Sequence, residues 1–164
     1  MRDSTSRGKT LAEIQAARTL LEEATSLALG RMLMAFSRLD MELGLALVWV
    51  NEGREIEART AKLDQSNFYT KLEELRKHLD QRGSSDALGV KLVAWMEKAN
   101  DLRGIRNELV HGRWGVSGHE EVAVNVIGLP TSSEQRTRSY RIAELDRIVD
   151  DILNRPGFSG GCFH

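Results

Sequence analysis

The sequence predicts a mainly α-helical protein, a bundle of four to five helices with a small β-hairpin inserted before the last helix. Apolar residues recur every three or four positions over much of residues 11–111 and again over 143–154, which is the period of an amphipathic helix. Residues 121–127 instead alternate valines with other side chains, which is the period of a strand. The 164 residues suffice for one domain with its own core.

Three helices are expected in the first half of the chain. Residues 11–28 form the first, and Gly30 is expected to kink or break the helix there. A second helix reaches about Glu52, with an apolar stripe of Leu29, Leu33, Phe36, Leu39, Leu43, Leu47 and Val50. Residues 54–65 are charged and weakly patterned, which favours a connector. Ser66 is the expected N-cap of a third helix that runs to about Gln81.

The second half begins with a loop at residues 83–86, where Asp86 caps a long helix that ends at His111. Gly112 follows directly and marks the end of that helix. Residues 121–127 and 135–142 are then expected to pair as a hairpin spanning about 119–142. The last helix covers residues 143–154.

The domain is expected to span residues 10–155, with flexible segments at 1–9 and 156–164. Residues 1–9 are polar and basic with no apolar run behind them, which is unlike a signal peptide. The longest apolar stretch, residues 43–50, has eight residues and is too short to span a membrane. Cys162 is the only cysteine, which excludes an intrachain disulfide and fits a cytoplasmic protein.

The charges nearly cancel, with 23 basic and 24 acidic residues and a net charge of -1. The chain therefore has no global basic character, and any contact with nucleic acid must come from a local patch. Cys162 and His164 are too few for a zinc site, so no metal and no cofactor are expected.

Arg106 lies where the long helix should carry an apolar residue. The stripe Leu88, Leu92, Trp95, Ala99 and Leu102 continues through Arg106 to Leu109. Burying a guanidinium is costly unless it is paired, so Arg106 either has a carboxylate partner or borders a cleft or a subunit seam. Asp40 interrupts the stripe of the second helix in the same way. We therefore predict that Asp40 and Arg106 approach each other, as a structural ion pair, as support for a functional arginine, or as both.

His111 lies in the last helical turn, on a polar strip with Asn100 and Asn107. The helix dipole there favours a protonated imidazole, which suits acid–base work near neutral pH. A histidine at this position also serves as a simple helix cap. The adjacent Arg106 and Asn107 favour the functional interpretation, because a guanidinium can bind phosphate through a planar fork of donors.

The sequence from Arg106 to His111, Arg-Asn-Glu-Leu-Val-His, resembles the signature of the HEPN (higher eukaryotes and prokaryotes nucleotide-binding) family. The similarity extends through residues 109–114, Leu-Val-His-Gly-Arg-Trp. It implies a HEPN-like helical bundle that forms a homodimer, with RNA bound where the motif helices of two subunits meet. Many members are metal-independent ribonucleases, and a role as a toxin or phage-defence effector with an antitoxin or other regulatory partner would fit.

By this resemblance, Arg106 and His111 would be catalytic, and Asn107 would orient the histidine or the phosphate. Arg103 and Arg113 are candidate phosphate contacts, and Trp114, in an expected loop, is a candidate for base stacking or for the dimer interface. Two alternatives remain open, because fold does not fix function. One is a non-catalytic module that binds RNA, nucleotide or another protein, and the other is a structural helical dimer without a ligand.

Overall fold

The structure, a computed structural model, describes residues 8–50, 52–82 and 87–153. Over these residues the protein is mainly α-helical, as predicted, and carries one small antiparallel sheet. The elements in chain order are α1 (Leu11–Trp49), α2 (Ile56–Asp64), α3 (Phe68–Arg82), α4 (Ala87–His111), β1 (Arg113–Ser117), β2 (Val122–Ile127), β3 (Arg136–Tyr140) and α5 (Ile142–Leu153). The expected loop at 83–86, residues 1–7 of the N-terminal arm and the tail lie outside the described residues.

Helix α1 is one continuous helix of 39 residues, so the predicted break at Gly30 is wrong. A glycine in a helix interior costs only about 1 kcal/mol relative to alanine. That cost is small beside the burial of Ala28 on one side of Gly30 and Met32 on the other. A capping box begins the helix: the backbone N–H of Thr10 donates to the Glu13 carboxylate at 2.6 Å, and the backbone N–H of Glu13 donates to the Thr10 hydroxyl at 3.3 Å.

Helix α2 occupies the segment that was predicted to be a connector. Leu63 is its one buried residue, so it has no apolar stripe to reveal it. Its other residues include alanine, glutamate, arginine and lysine, which have high helix propensity even without such a stripe. Helix α3 is confirmed, but its N-cap is Asn67 rather than Ser66. The Asn67 side-chain oxygen accepts the backbone N–H of Thr70 at 2.9 Å.

The sheet has three strands in the order β1–β2–β3, where the sequence analysis expected two. Strands β2 and β3 confirm the predicted hairpin, and β1 is the strand that was missed. Strand β1 begins one residue after Gly112, and Trp114 therefore lies in a strand rather than in a loop. In the observed register, Trp114 pairs with Asn125 and Asn125 pairs with Arg138, so the three residues form one row across the sheet.

The chain divides into two compact units, and α1 and α4 each contribute to both. Unit 1 consists of Met1–Arg31 and Glu108–Asp150, and therefore contains the sheet and the last turn of α4. Its buried residues are Leu21, Thr25, Ala28, Leu109, Ala123, Asn125, Leu145 and Val149. Within it, a side chain at Gly118 would overlap the main-chain oxygen of Ile14, so the β1–β2 turn approaches α1 closely enough to require glycine.

Unit 2 consists of Met32–Asn107 and Asp151–His164. Its core is formed by one face of α1 packed with residues of α2, α3 and α4. The fully or nearly fully buried side chains include Met32, Leu43, Leu47, Leu72, Leu75, Met96, Ala99 and Leu102. Phe36 of α1 contacts Phe68 of α3, with ring centroids 4.7 Å apart. This aromatic pair lies next to the first of the predicted site residues.

Candidate functional site

Arg106 is half-buried in unit 2, and no carboxylate of the described residues forms an ion pair with it. One terminal nitrogen, Nη1, donates to the side-chain oxygen of Asn107 at 3.0 Å. The guanidinium carbon lies 5.5 Å from the centroid of the Phe36 ring, a cation–π distance. The Nε atom is buried and has no acceptor among the described residues. The Arg106 guanidinium therefore lies against the Phe36 ring without a carboxylate of the described residues beside it.

The predicted ion pair between Asp40 and Arg106 is wrong, because Asp40 pairs with Lys71. The Lys71 ammonium donates to the Asp40 carboxylate at 2.9 Å. The side chain of Lys71 is only 11% exposed, and that of Asp40 is 37% exposed. Lys71 follows Phe68 by three residues on the inner face of α3, so it also interrupts an apolar stripe. A lysine in the apolar stripe of α3 was therefore the sequence signal for the partner of Asp40, because a buried cation requires a carboxylate.

Arg103 lies one turn before Arg106, and other groups of unit 2 already contact its guanidinium. Its Nε donates to the Asn100 side-chain oxygen at 3.0 Å, and the guanidinium carbon lies 5.0 Å from the centroid of the Tyr69 ring. Tyr69 and Asn100 line a groove of about 280 Å³ together with Arg76 and the carboxylates of Glu73, Glu97 and Asp101. Because the carboxylates outnumber the one arginine of this lining, the groove is poorly suited to the RNA contact that was expected of Arg103.

His111 is the last residue of α4 and belongs to unit 1, where its side chain is exposed. Its ring makes no hydrogen bond with any residue that the structure describes. The backbone of the last turn therefore fixes the Cα–Cβ bond of His111, and no hydrogen bond to the described residues restrains the ring itself. Asn107, expected to support this histidine or the phosphate, instead accepts the hydrogen bond from Arg106 within unit 2.

Arg113 and Trp114 have structural contacts in unit 1. Arg113 is exposed, and its Nη2 donates to the backbone oxygen of Gly128 at 3.3 Å. Trp114 donates its indole N–H to the backbone oxygen of Leu109 at 2.7 Å, and its ring centroid lies 5.7 Å from that of Tyr140. Because the indole is half-buried and already packs against Tyr140 in a tilted arrangement, these contacts favour a structural role for Trp114 over base stacking.

Asn125 is the residue of this region that sequence reasoning missed. It lies in the central strand with 0% of its surface exposed, and its side-chain N–H donates to the backbone oxygen of Glu108 at 3.0 Å. The Asn125 side-chain oxygen is buried without a partner. The alternation of residues 122–127 predicted the strand but not which face is buried. The buried face carries Ala123 and Asn125, whereas the valines are half-buried.

Glu108, between Arg106 and His111 in sequence, is held by the edge strand of the sheet. Its carboxylate forms ion pairs with two arginines, at 2.7 Å from Arg138 Nη1 and 3.9 Å from Arg136 Nη2. Gly112 is equally constrained, because a Cβ atom there would overlap the Asn125 amide. Gly112 does not have a positive φ, so its requirement for glycine is steric rather than conformational.

Comparisons with protein-family models, curated proteins and solved structures give no match to this chain. The resemblance to HEPN proteins therefore rests on the motif residues themselves. Among the described residues, no helix is long and apolar enough to cross a membrane. The same residues contain no group of three or more histidine, cysteine or acidic side chains arranged to hold a metal ion.

Proposed function

We propose that this protein is a metal-independent endoribonuclease of the HEPN type, with Arg106 and His111 as its catalytic residues. The main support is that Arg106, within the Arg-Asn-Glu-Leu-Val-His motif of α4, has no carboxylate partner among the described residues. A half-buried guanidinium that no carboxylate of the described residues neutralises can bind an anionic ligand through the part of it that reaches the solvent. A phosphodiester supplies such a ligand, because its oxygens accept two donors of one guanidinium.

The reaction is a transesterification within the RNA chain. His111, at the exposed end of α4, accepts the proton of a ribose 2′-hydroxyl, and the 2′ oxygen attacks the adjacent phosphorus. The bond from phosphorus to the 5′ oxygen breaks, that oxygen takes a proton from water, and the protonated His111 returns its proton to the solvent. Arg106 stabilises the charge that develops on the non-bridging oxygens. The products are a 2′,3′-cyclic phosphate and a 5′-hydroxyl.

The proposal includes a second copy of the chain. In this arrangement the motif helices of two HEPN-type subunits meet, and each contributes one Arg106 and one His111 to a shared RNA-binding cleft. An enzyme that cleaves RNA inside its own cell requires restraint, and an antitoxin or other regulatory protein is the proposed partner. The RNA contacts away from the scissile phosphate fall to Arg113 rather than to Trp114, whose indole N–H is already bonded.

The test is an RNA cleavage assay with metals chelated. It compares the wild type with Arg106→Ala, Arg106→Lys and His111→Ala, and uses Arg147→Gln, an exposed arginine of α5, as the matched control. We expect loss of about 10²- to 10⁴-fold for His111→Ala, the usual contribution of a general base. Arg106→Ala should lose about 10²- to 10³-fold, and Arg106→Lys should recover little because lysine lacks the fork of donors.

The outcomes separate the alternatives. Cleavage that leaves cyclic phosphate ends, retained in Arg147→Gln and lost in the motif variants, supports the ribonuclease. RNA binding without cleavage, weakened by Arg106→Ala, would replace it with the non-catalytic binding module. Activity that survives both alanine substitutions would exclude Arg106 and His111 as its source.

A further inference from the structure

One row of side chains across the sheet contacts two consecutive residues of α4, Glu108 and Leu109. Trp114 of β1 donates to the Leu109 backbone oxygen at 2.7 Å, and Asn125 of β2 donates to the Glu108 backbone oxygen at 3.0 Å. Arg138 of β3 completes the row at 2.7 Å from the Glu108 carboxylate. These three residues, called the cross-strand row below, are register partners, and all their contacts lie within unit 1.

The cross-strand row meets a need that every helix end creates. The last four carbonyl oxygens of an α-helix lack donors from the next turn. In α4 the Glu108 oxygen still accepts the backbone N–H of Gly112, at 3.2 Å, and Asn125 adds a second donor to it. The next carbonyl, that of Leu109, accepts the indole N–H of Trp114. The end of α4 is therefore fixed by side chains of the sheet as well as by its own backbone.

Asn125 is an expensive residue for a purely structural contact. A central strand position with no exposure is normally apolar, and an amide oxygen buried there without a donor costs stability. Among the residues that the structure describes, the Asn125 side chain makes one hydrogen bond, and that bond is to α4. Gly112 leaves the space that this amide occupies, so the two positions are matched. The amide therefore has a specific task at the helix end.

We infer that Trp114, Asn125 and Arg138 are positioning residues, which hold the last turn of α4 and thereby place the Cα–Cβ bond of His111. The His111 ring makes no hydrogen bond with the described residues, so the backbone of this turn is what fixes the point from which the ring reaches a substrate. The catalytic consequence rests on the proposed function. Displacing a catalytic group by about 1 Å can cost on the order of a hundredfold in rate. Loss of one contact of the cross-strand row should therefore lower kcat and leave KM nearly unchanged.

The test uses substitutions that each remove one contact and keep the rest of the side chain. Trp114→Phe deletes the indole N–H and keeps an aromatic ring beside Tyr140. Arg138→Gln deletes the ion pair with Glu108 at an exposed site, so this variant can be expected to fold. Thr137→Val is the matched control, because Thr137 neighbours Arg138 on the same strand but projects from the opposite face of the sheet.

The first measurement is amide hydrogen exchange at His111 and Gly112, together with the NMR signals of the His111 ring. We expect exchange about fivefold faster in Trp114→Phe, the effect of one lost hydrogen bond, with shifted His111 signals. Arg138→Gln should show a smaller change of the same kind, and Thr137→Val should match the wild type. Exchange rates and His111 signals unchanged in both Trp114→Phe and Arg138→Gln would overturn the inference.

The second measurement separates this inference from the proposed function. In an active enzyme, Trp114→Phe should reduce kcat on the order of tenfold to a hundredfold. It should also alter the limb of the pH–rate profile that reports the proton acceptor, with KM nearly constant. An inactive wild type would refute the ribonuclease, and the exchange measurement would still test the positioning. Faster exchange with an unchanged kcat and pH profile would show that the cross-strand row does not serve catalysis.

Discussion

The substitution Gly112→Ala tests the contact between the end of α4 and the central strand. A Cβ atom at Gly112 would overlap the Asn125 side-chain oxygen and approach its amide nitrogen to 2.6 Å. The overlap can be relieved only if Asn125 moves away from the Glu108 carbonyl. The lost hydrogen bond costs about 1 kcal/mol, and forcing a methyl group into a packed site costs roughly 1–3 kcal/mol. We therefore expect the free energy of unfolding to fall by about 2–4 kcal/mol.

The measurement is urea-induced unfolding followed by circular dichroism. Gly104→Ala is the matched control, because Gly104 lies in the same helix, is exposed and has open space around it. There alanine should raise the free energy of unfolding by about 0.5–1 kcal/mol through its higher helix propensity. The same chemical change is thus expected to have opposite signs at the two positions.

A double-mutant cycle identifies the cause of the loss. Asn125→Ala removes the amide that the new methyl group would meet, so Gly112→Ala should cost less than about 1 kcal/mol in that background. The coupling free energy between the two sites should be about 1–3 kcal/mol, as for residues in contact. The reasoning is refuted if Gly112→Ala leaves the stability within about 0.5 kcal/mol of the wild type, or if its cost is the same with and without Asn125.

Two further predictions concern ion pairs of unit 2. Asp40→Ala leaves the buried Lys71 ammonium without its carboxylate, and should lower the free energy of unfolding in urea by about 2 kcal/mol. Lys71→Met leaves only a half-exposed carboxylate and should lower it by less. The reverse order of the two variants would contradict this account. The hydrogen bond from Lys62 lowers the pKa of Glu74 below its ordinary value of 4.5. Because this folded-state pKa is lowered, the pair stabilises the protein above pH 4.5, and the effect is lost as the pH falls through the lowered value. Lys62→Met should therefore lower the free energy of unfolding at pH 7, by only about 0.5 kcal/mol because Lys62 is exposed. At a pH below the lowered pKa of Glu74, the variant and the wild type should be equally stable. A difference that persists at that pH would exclude the ion pair as its source.

The elements that the sequence predicts correctly are those with a clear periodicity or with turn residues at their ends. Helix α4 ends at His111 as its stripe and Gly112 indicate, and β2 and β3 follow from their flanking signals. Helix α2 escapes this reasoning because only Leu63 is buried, so its helical state depends on residue propensity. Strand β1 was not predicted because it has only five residues, and its two apolar side chains, Trp114 and Val116, are too few to show an alternation. It also begins directly after the end of a helix.

The candidate site shows a different limit. The motif residues are visible in the sequence because a known pattern marks Arg106 and His111. A cation interrupts the apolar stripe of α3 at Lys71 and that of α4 at Arg106, and either could face Asp40. A helical wheel shows the faces of one helix and does not show which helix packs against which, so it could not decide between them. Asn125 was visible only as a polar residue in a strand. Its bond to Glu108 follows from packing of the sheet against α4 within unit 1, which no local pattern encodes.

The order of the two units along the sequence affects how the chain can fold. Met32–Asn107 of unit 2 lies in sequence between the two segments that build unit 1. The ion pair of Lys9 with Glu121 joins residues 112 positions apart across this insertion. Closing so long a loop before the inserted segment has condensed carries an entropic cost, whereas Glu108 at the end of α4 and Arg138 of the cross-strand row are only about thirty positions apart. The sheet and the end of α4 can therefore assemble as a local nucleus, and the first turns of α1 join it last.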